Sequence, residues 1–91
     1  MITTIVLIKT KHSKINEVGE KISAIKGVTE VYSVSGRYNL LAIIRHKEMD
    51  DISVIVTEKI NAVEGIKKTE SMIAYRMLSK YDLAGVFDLG D

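Results

Sequence analysis

Two apolar runs divide the chain into halves of similar plan. Residues Ile2 to Ile8 are rich in β-branched side chains, and residues Leu40 to Ile44 are Leu and Ile around one alanine. Such side chains favour extended backbone, so each run predicts a β-strand. A nine-residue segment that begins at Glu20 recurs 38 positions later, beginning at Glu58. The repeat indicates that the chain is built from two copies of one supersecondary unit.

Each predicted strand is followed by apolar residues three or four positions apart, the spacing of one side of an α-helix. The two stripes are Ile15, Val18, Ile22 and Ile25, and then Ile52, Val56, Ile60 and Val63. We expect Ser13 to be the N-cap of the first helix, and Asp50 and Asp51 to cap the second and oppose its dipole. Gly27 and Gly65 are expected to end the helices at C′ with positive φ.

A second extended stretch follows each glycine, at Val28 to Ser35 and at Ile66 to Leu78. The order is therefore β-α-β-β-α-β, which predicts an α+β, ferredoxin-like sandwich with a four-stranded antiparallel sheet. Right-handed crossovers send both helices to the same face of that sheet. The other face is left without a cover from this chain.

The strands are apolar on consecutive positions rather than on alternate ones. Ile5 to Ile8 and Leu40 to Ile44 place Ile, Leu, Val and Ala on both faces of the sheet. An apolar patch of that extent is rare on a soluble monomer. We therefore expect two copies to pack their sheets face to face as a dimeric α/β barrel.

Composition excludes several classes of function. Thirteen basic and twelve acidic residues give a formal charge of +1, spread without a basic stripe, so direct nucleic-acid binding is not expected. There is no cysteine, no membrane-length apolar run and no signal-like N-terminus. The sequence also lacks a phosphate loop and the hydrolase and metalloprotease motifs. We expect a cytoplasmic protein that is not an enzyme and has no metal or cofactor.

Two segments resemble a known family. The segments are Val34-Ser35-Gly36-Arg37-Tyr38-Asn39-Leu40-Leu41 and Val63-Glu64-Gly65-Ile66-Lys67-Lys68-Thr69-Glu70-Ser71. They look like parts of the C-terminal effector-binding (RAM) domain of Lrp/AsnC regulators. Asn39 stands where the family commonly has Asp, and Glu64 where it commonly has Pro. The resemblance covers residues 1–80, leaving 81–91 as a C-terminal tail. Because Met1 leads directly into the first strand, the resemblance implies a stand-alone form without a helix-turn-helix segment.

The resemblance implies a sensor of amino acids or similar small molecules, acting in transcription regulation by ligand-dependent oligomerisation. Related proteins bind amino acids between dimers and form octameric rings or similar assemblies. This implies a homodimer that assembles into tetramers or octamers, with the cleft lined by the Gly36 turn of one subunit and the fourth strand of a neighbour. A hetero-oligomer with a DNA-binding Lrp/AsnC paralogue is a further implication.

The candidate ligand-binding residues lie in two groups, the predicted hairpin connection and the fourth strand. Glycine lets a backbone N–H approach a ligand carboxylate closely, Arg37 offers a planar fork of donors, and Tyr38 is a candidate pocket wall. A plain tight turn and a solvated arginine are the alternatives. The hydroxyls of Thr69 and Ser71 share one face of the fourth strand by period two and suit a polar ligand, with a solvated sheet edge as the alternative. The full set is Ser35, Gly36, Arg37, Tyr38, Asn39, Thr69 and Ser71.

Two other functions remain open from the residues. Face-to-face ferredoxin-like dimers also serve as small monooxygenases, but these need a polar group inside the barrel, and the inward candidates here are mostly Ile, Leu and Val. The other is an assembly scaffold that binds no ligand.

Overall fold

The computed structural model describes residues 1–78. The predicted tail therefore lies outside the described residues. The elements in chain order are β1 (Ile2–Thr10), a 3-10 turn (His12–Lys14), α1 (Ile15–Ser23), β2 (Val28–Ser33), β3 (Leu40–His46), α2 (Met49–Val54), a π-helical turn (Ile55–Ile60) and β4 (Ile66–Ala74). Strands β2 and β4 are both shorter than their predicted stretches, which ran to Ser35 and Leu78.

The four strands form one antiparallel sheet with the order β2-β3-β1-β4. The hydrophobic first and third strands are therefore central, and the more polar second and fourth strands are edges. Val6 lies opposite Ala42 of β3 and opposite Ser71 of β4. This topology confirms the predicted α+β, ferredoxin-like fold.

The core lies between the sheet and the two helices. Val6 and Ala42, on the central strands, are fully buried, as are Val18 and Ile22 of α1 and Ile60 of the π-helical turn. Both helices thus cover the same sheet face, as predicted. Within residues 1–78, no helix is long and apolar enough to cross a membrane.

Both helices begin without the predicted side-chain caps. At the first helix a 3-10 turn intervenes, in which the Lys14 N–H donates to the Lys11 carbonyl at 2.9 Å, and the N-cap position is Lys14 rather than Ser13. The second helix has Glu48 at its N-cap, and no side chain caps it. Asp50 and Asp51 occupy the first turn, where their charge still opposes the helix dipole. The prediction of Ser13 as a cap was wrong because the chain leaves β1 in a tight turn before α1 starts.

The second helix departs from a regular apolar stripe. Its buried residues are Ile52, Ile55 and Ile60, and Val56 is only partly buried. A π-helical turn bonds i to i+5, so Ile55 and Ile60 fall on the same side although they are five positions apart. The predicted spacing assumed a regular helix and placed Val56 in the stripe in place of Ile55.

The two predicted helix-ending glycines have positive φ, 101° at Gly27 and 103° at Gly65. Neither glycine is at C′, however. The first helix ends at Ser23, and a further turn follows in which the Val28 N–H donates to the Ile25 carbonyl at 3.1 Å. The π-helical turn ends at Ile60, with Asn61 as its C-cap, four residues before Gly65. A Cβ at Gly27 would lie 2.6 Å from Cδ1 of Ile55. Glycine therefore suits this position for two reasons: the backbone has positive φ, and the side chain of Ile55, buried in the π-helical turn, leaves no room for a Cβ.

We predict that Gly27→Ala destabilises the protein by roughly 2–4 kcal/mol, because it combines positive φ with a clash against Ile55. Gly36→Ala is the matched control, since φ is 112° there and a Cβ would meet nothing within 4 Å. We expect that control to cost about 1–2 kcal/mol from backbone strain alone. Chemical denaturation gives the unfolding free energies.

Ile55→Val removes the clashing Cδ1 and should therefore recover part of the loss in the Gly27→Ala background. Strictly additive effects of Gly27→Ala and Ile55→Val in a double-mutant cycle would contradict the contact.

Candidate functional site

The sheet face opposite the helices, which we call the open face, carries a continuous apolar strip. Ile5 lies between Ile43 of β3 and Met72 of β4 in the strand register, and Leu7 lies opposite Leu41. Ile5, Leu7, Leu41 and Ile43 are only half-buried, and Met72 is 44% exposed. One chain by itself therefore leaves this strip in contact with water.

The connection between β2 and β3 lies at one end of the open face. The Val34 N–H donates to the Asn39 carbonyl at 3.0 Å and closes the connection. Gly36 has a φ of 112° and open space around it. Ser35, Gly36 and Arg37 are exposed, so their polar groups are available to a ligand.

Asn39 anchors this connection to the first strand. Its N–H donates to the Ile8 carbonyl at 2.9 Å, and its Oδ1 accepts the N–H of Thr10 at 2.9 Å. Asp, the residue expected here by the family resemblance, offers the same acceptor oxygen. The Asn39 side chain therefore has a structural partner, and the expectation that it touches ligand stays a prediction.

A pocket of about 280 Å³ opens beside the connection, lined by Lys9, Arg37, Tyr38 and Lys68. Nζ of Lys9 donates to the Arg37 carbonyl at 3.2 Å, and the Tyr38 hydroxyl donates to Oε1 of Glu70 at 2.6 Å. Nζ of Lys68 lies 6.0 Å from the centroid of the Tyr38 ring, at the limit of a cation–π contact. Three cations and one carboxylate thus converge on this end of the open face.

The hydrogen bond to Glu70 is the largest influence on the pKa of Tyr38. It raises the pKa of the Tyr38 phenol above the ordinary 10.0, with smaller contributions from desolvation and from the negative charge of Glu70, while Lys68 acts in the opposite direction. The phenol is protonated at neutral pH, as an ordinary tyrosine is, and its hydroxyl donates to Glu70.

The two predicted hydroxyl residues lie on the other face of the sheet. Thr69 is opposite Ile8 and Ser71 is opposite Val6, both of which are buried under the helices. Oγ1 of Thr69 makes a long contact of 3.5 Å to Oδ1 of Asn61. Within one chain, Thr69 and Ser71 therefore do not meet Arg37 and Tyr38, and their role in binding stays a prediction.

Sequence reasoning missed Lys9, Lys68 and Glu70. Lys68 and Glu70 alternate with Thr69 and Ser71 along β4, so period two separates the two groups. The pairing of β1 with β4 decides whether Lys68 and Glu70, or Thr69 and Ser71, lie on the same sheet face as Lys9. These two strands are the first and the last of the sheet in chain order, so their register is not a local feature of the sequence. In the part of the chain that the structure describes, no group of three His, Cys, Asp or Glu residues could hold a metal ion.

Comparisons with known proteins agree with this fold. The protein-family model for the Lrp/AsnC ligand binding domain matches residues 3–83 of the sequence. The crystal structure of TTHA0845 from Thermus thermophilus is 38% identical and covers 88% of this chain and 100% of that one, with a TM-score of 0.82. Escherichia coli AsnC has a TM-score of 0.79 at 20% identity, over 86% of this chain and 53% of that one, which shows the fold alone.

Curated relatives are transcriptional regulators. YugG of Bacillus subtilis, an uncharacterized HTH-type regulator, is 34% identical over 77 residues, which are 84% of this chain and 45% of that protein. The HTH-type regulator LrpA of Pyrococcus abyssi is 33% identical over 67 residues, 74% of this chain and 48% of LrpA. The chain therefore spans about half the length of these relatives.

We predict that Glu70→Gln lowers the pKa of Tyr38, because the neutral amide is a weaker acceptor and no longer repels the phenolate. The alkaline absorbance titration is measured for each protein with and without Tyr38→Phe. The difference between the two curves gives the titration of the Tyr38 phenol alone. Since the folded pKa is raised, the stabilisation from the bond is fully present below pH 10 and is lost as pH rises through the folded pKa. An identical Tyr38 titration in the Glu70→Gln protein would contradict the bond.

We also predict that Asn39→Ala costs about 1 kcal/mol, because the buried N–H of Thr10 loses its acceptor. Amide hydrogen exchange at Thr10 should accelerate in that variant. Asn39→Asp is the control, since it keeps an acceptor oxygen and should preserve the protection of Thr10. Unchanged exchange in Asn39→Ala would show that the anchor does not hold the connection.

Proposed function

The chain belongs to the Lrp/AsnC ligand-binding domain family, and from that premise we propose that it is a sensor of amino acids or similar small molecules. Binding at the pocket beside the β2–β3 connection would shift how copies of the domain assemble. A ligand shifts such an equilibrium only through different affinities for the two states. The pocket lies at the end of the open face, so a ligand bound there would meet different surroundings in the single and the assembled chain.

The proposal for assembly is supported by the open face. Ile5, Leu7, Leu41 and Ile43 are half-buried in the single chain, while the other face of the same strands is fully covered. Burial of apolar surface contributes about 25 cal/mol per Å². A second copy packed sheet to sheet would bury the strip on both partners at once, and further assembly into tetramers or octamers would build on that dimer.

The proposal for ligand binding is supported by the pocket itself. The guanidinium of Arg37 suits a carboxylate, and the Tyr38 ring offers an apolar wall. Glu70 offers a negative partner for a ligand ammonium group. A Neisseria meningitidis regulator was solved with L-Met, but at 11% identity over 86% of this chain and 52% of that one, with a TM-score of 0.76, the likeness shows the fold alone. The ligand class rests on this chain's own residues.

The proposed route to transcription is assembly with a DNA-binding chain of the same family. The curated relatives are HTH-type regulators of about twice the matched length. The formal charge of +1 without a basic stripe argues against a DNA contact by this domain. Mixed oligomers in the cytoplasm would let the domain report ligand levels to a regulator.

The assembly is tested by light scattering on the purified chain. We expect at least twice the mass of one chain for the wild type, and a shift toward single chains for Ile43→Glu, because a buried unpaired charge opposes sheet-to-sheet packing. Val54→Glu is the matched control, since Val54 is 38% exposed on α2, and it should leave the mass unchanged.

Circular dichroism checks that both variants are folded. A wild type that stays a single chain at micromolar concentration, or an Ile43→Glu protein that assembles like the wild type, would overturn the proposed assembly.

A further inference from the structure

The pocket beside the β2–β3 connection has an excess of positive charge. Lys9, Arg37 and Lys68 all line it, and within residues 1–78 none of the three takes part in a salt bridge. Glu70 is the carboxylate bonded at its edge, and one of its oxygens accepts the Tyr38 hydroxyl at 2.6 Å. The local formal charge is therefore about +2, although the chain as a whole carries +1.

The backbone register holds two of these cations together. Lys9 of β1 is the direct antiparallel partner of Lys68 of β4. Like charges directly opposite each other on neighbouring strands destabilise a sheet. A bound anion between the two ammonium groups would turn this repulsion into attraction.

Arg37 provides a second point of attachment. It approaches the pocket from the β2–β3 connection, whereas Lys9 and Lys68 approach from the sheet, and Nζ of Lys9 donates to the Arg37 carbonyl at 3.2 Å. The planar guanidinium suits a carboxylate and the two ammonium groups suit another. A volume of about 280 Å³ fits a molecule of amino-acid size.

We propose that this pocket takes a small dicarboxylate of net negative charge, an acidic amino acid or the corresponding 2-oxo acid, in preference to a neutral amino acid. The inference rests on the proposed sensor function and names the ligand class of the same site. Arg37 binds one carboxylate, and Lys9 and Lys68 bind the other. Oε1 of Glu70 accepts the Tyr38 hydroxyl, and its other oxygen is the acceptor proposed for the ammonium group of an acidic amino acid.

Isothermal titration calorimetry on the full chain tests the charge preference with L-glutamate, 2-oxoglutarate, L-glutamine and inorganic phosphate. Glutamate and glutamine have nearly the same shape and differ by one charge. We expect glutamate or 2-oxoglutarate to bind at least about tenfold more tightly than glutamine, the ratio that one charge-assisted contact provides.

Lys68→Gln should weaken binding of the favoured diacid by about tenfold. Lys67→Gln is the matched control, because Lys67 is the neighbouring exposed lysine of β4 and lies outside the pocket lining. It makes the same change in net charge and should leave the affinity unchanged. Thermal melting of both variants confirms that they are folded.

The outcomes separate this inference from the proposed function. Glutamine binding as tightly as the diacids would overturn the dicarboxylate class and leave the sensor proposal standing. If phosphate binds as tightly as the diacids, the pocket is a general anion site and the dicarboxylate class is overturned. If Lys68→Gln and Lys67→Gln lose the same affinity for the diacid, the ligand does not bind at this pocket. If none of these compounds binds and a screen of all twenty amino acids also shows no thermal shift, both proposals fail.

Discussion

The sheet is apolar on both faces, but the helices cover only one of them. Val6, Ala42 and Ile44 are fully buried on the covered face, while Ile5, Leu7, Leu41 and Ile43 on the open face keep part of their surface in water. A ninety-residue domain buries only about 60–65% of its unfolded surface, so a second layer on the open face would add substantially to its stability. The pocket with its three cations stands at the end of this same face.

The position of the pocket follows from how the β2–β3 connection is attached. Asn39 ties the connection to the end of β1 through the Thr10 N–H, which brings Arg37 and Tyr38 beside Lys9. The register of β4 then adds Lys68 and Glu70 on the same face. Binding at this point would touch two strands, β1 and β4, and the β2–β3 connection, and it would lie next to the strip that we propose to pair. Under the proposed function, a change in ligand occupancy would bias assembly without a long-range conformational change.

Much of the fold could be predicted from the pattern of residues. The repeat that begins at Glu20 and Glu58 indicates two equivalent βαβ halves, and consecutive apolar residues mark the central strands. The helix details could not be predicted in this way. Packing of Ile55 against Gly27 accompanies the π-helical turn, and the 3-10 turn displaces Ser13 from the N-cap. Both features depend on contacts between elements rather than on local preference.

The candidate site was only partly predictable for the same reason. The chemistry of the turn residues identifies Gly36, Arg37 and Tyr38, and the family resemblance draws attention to Asn39. The faces on which Thr69 and Lys68 lie are decided by a pairing between the first and last strands. No local pattern predicts that register, so the sequence does not show that Lys68 and Glu70, rather than Thr69 and Ser71, lie on the same face as Lys9 within one chain.

The central claim is that a second copy covers the open face, and intermolecular contacts between methyl groups test it most directly. In a mixture of 13C-methyl-labelled and unlabelled protein, isotope-filtered nuclear Overhauser effects should connect Ile5, Leu7, Leu41 and Ile43 of one copy to the same strip of another. The methyls of Val54, which is 38% exposed on α2, should give none. Contacts from Val54 instead, or none from the strip, would contradict the account.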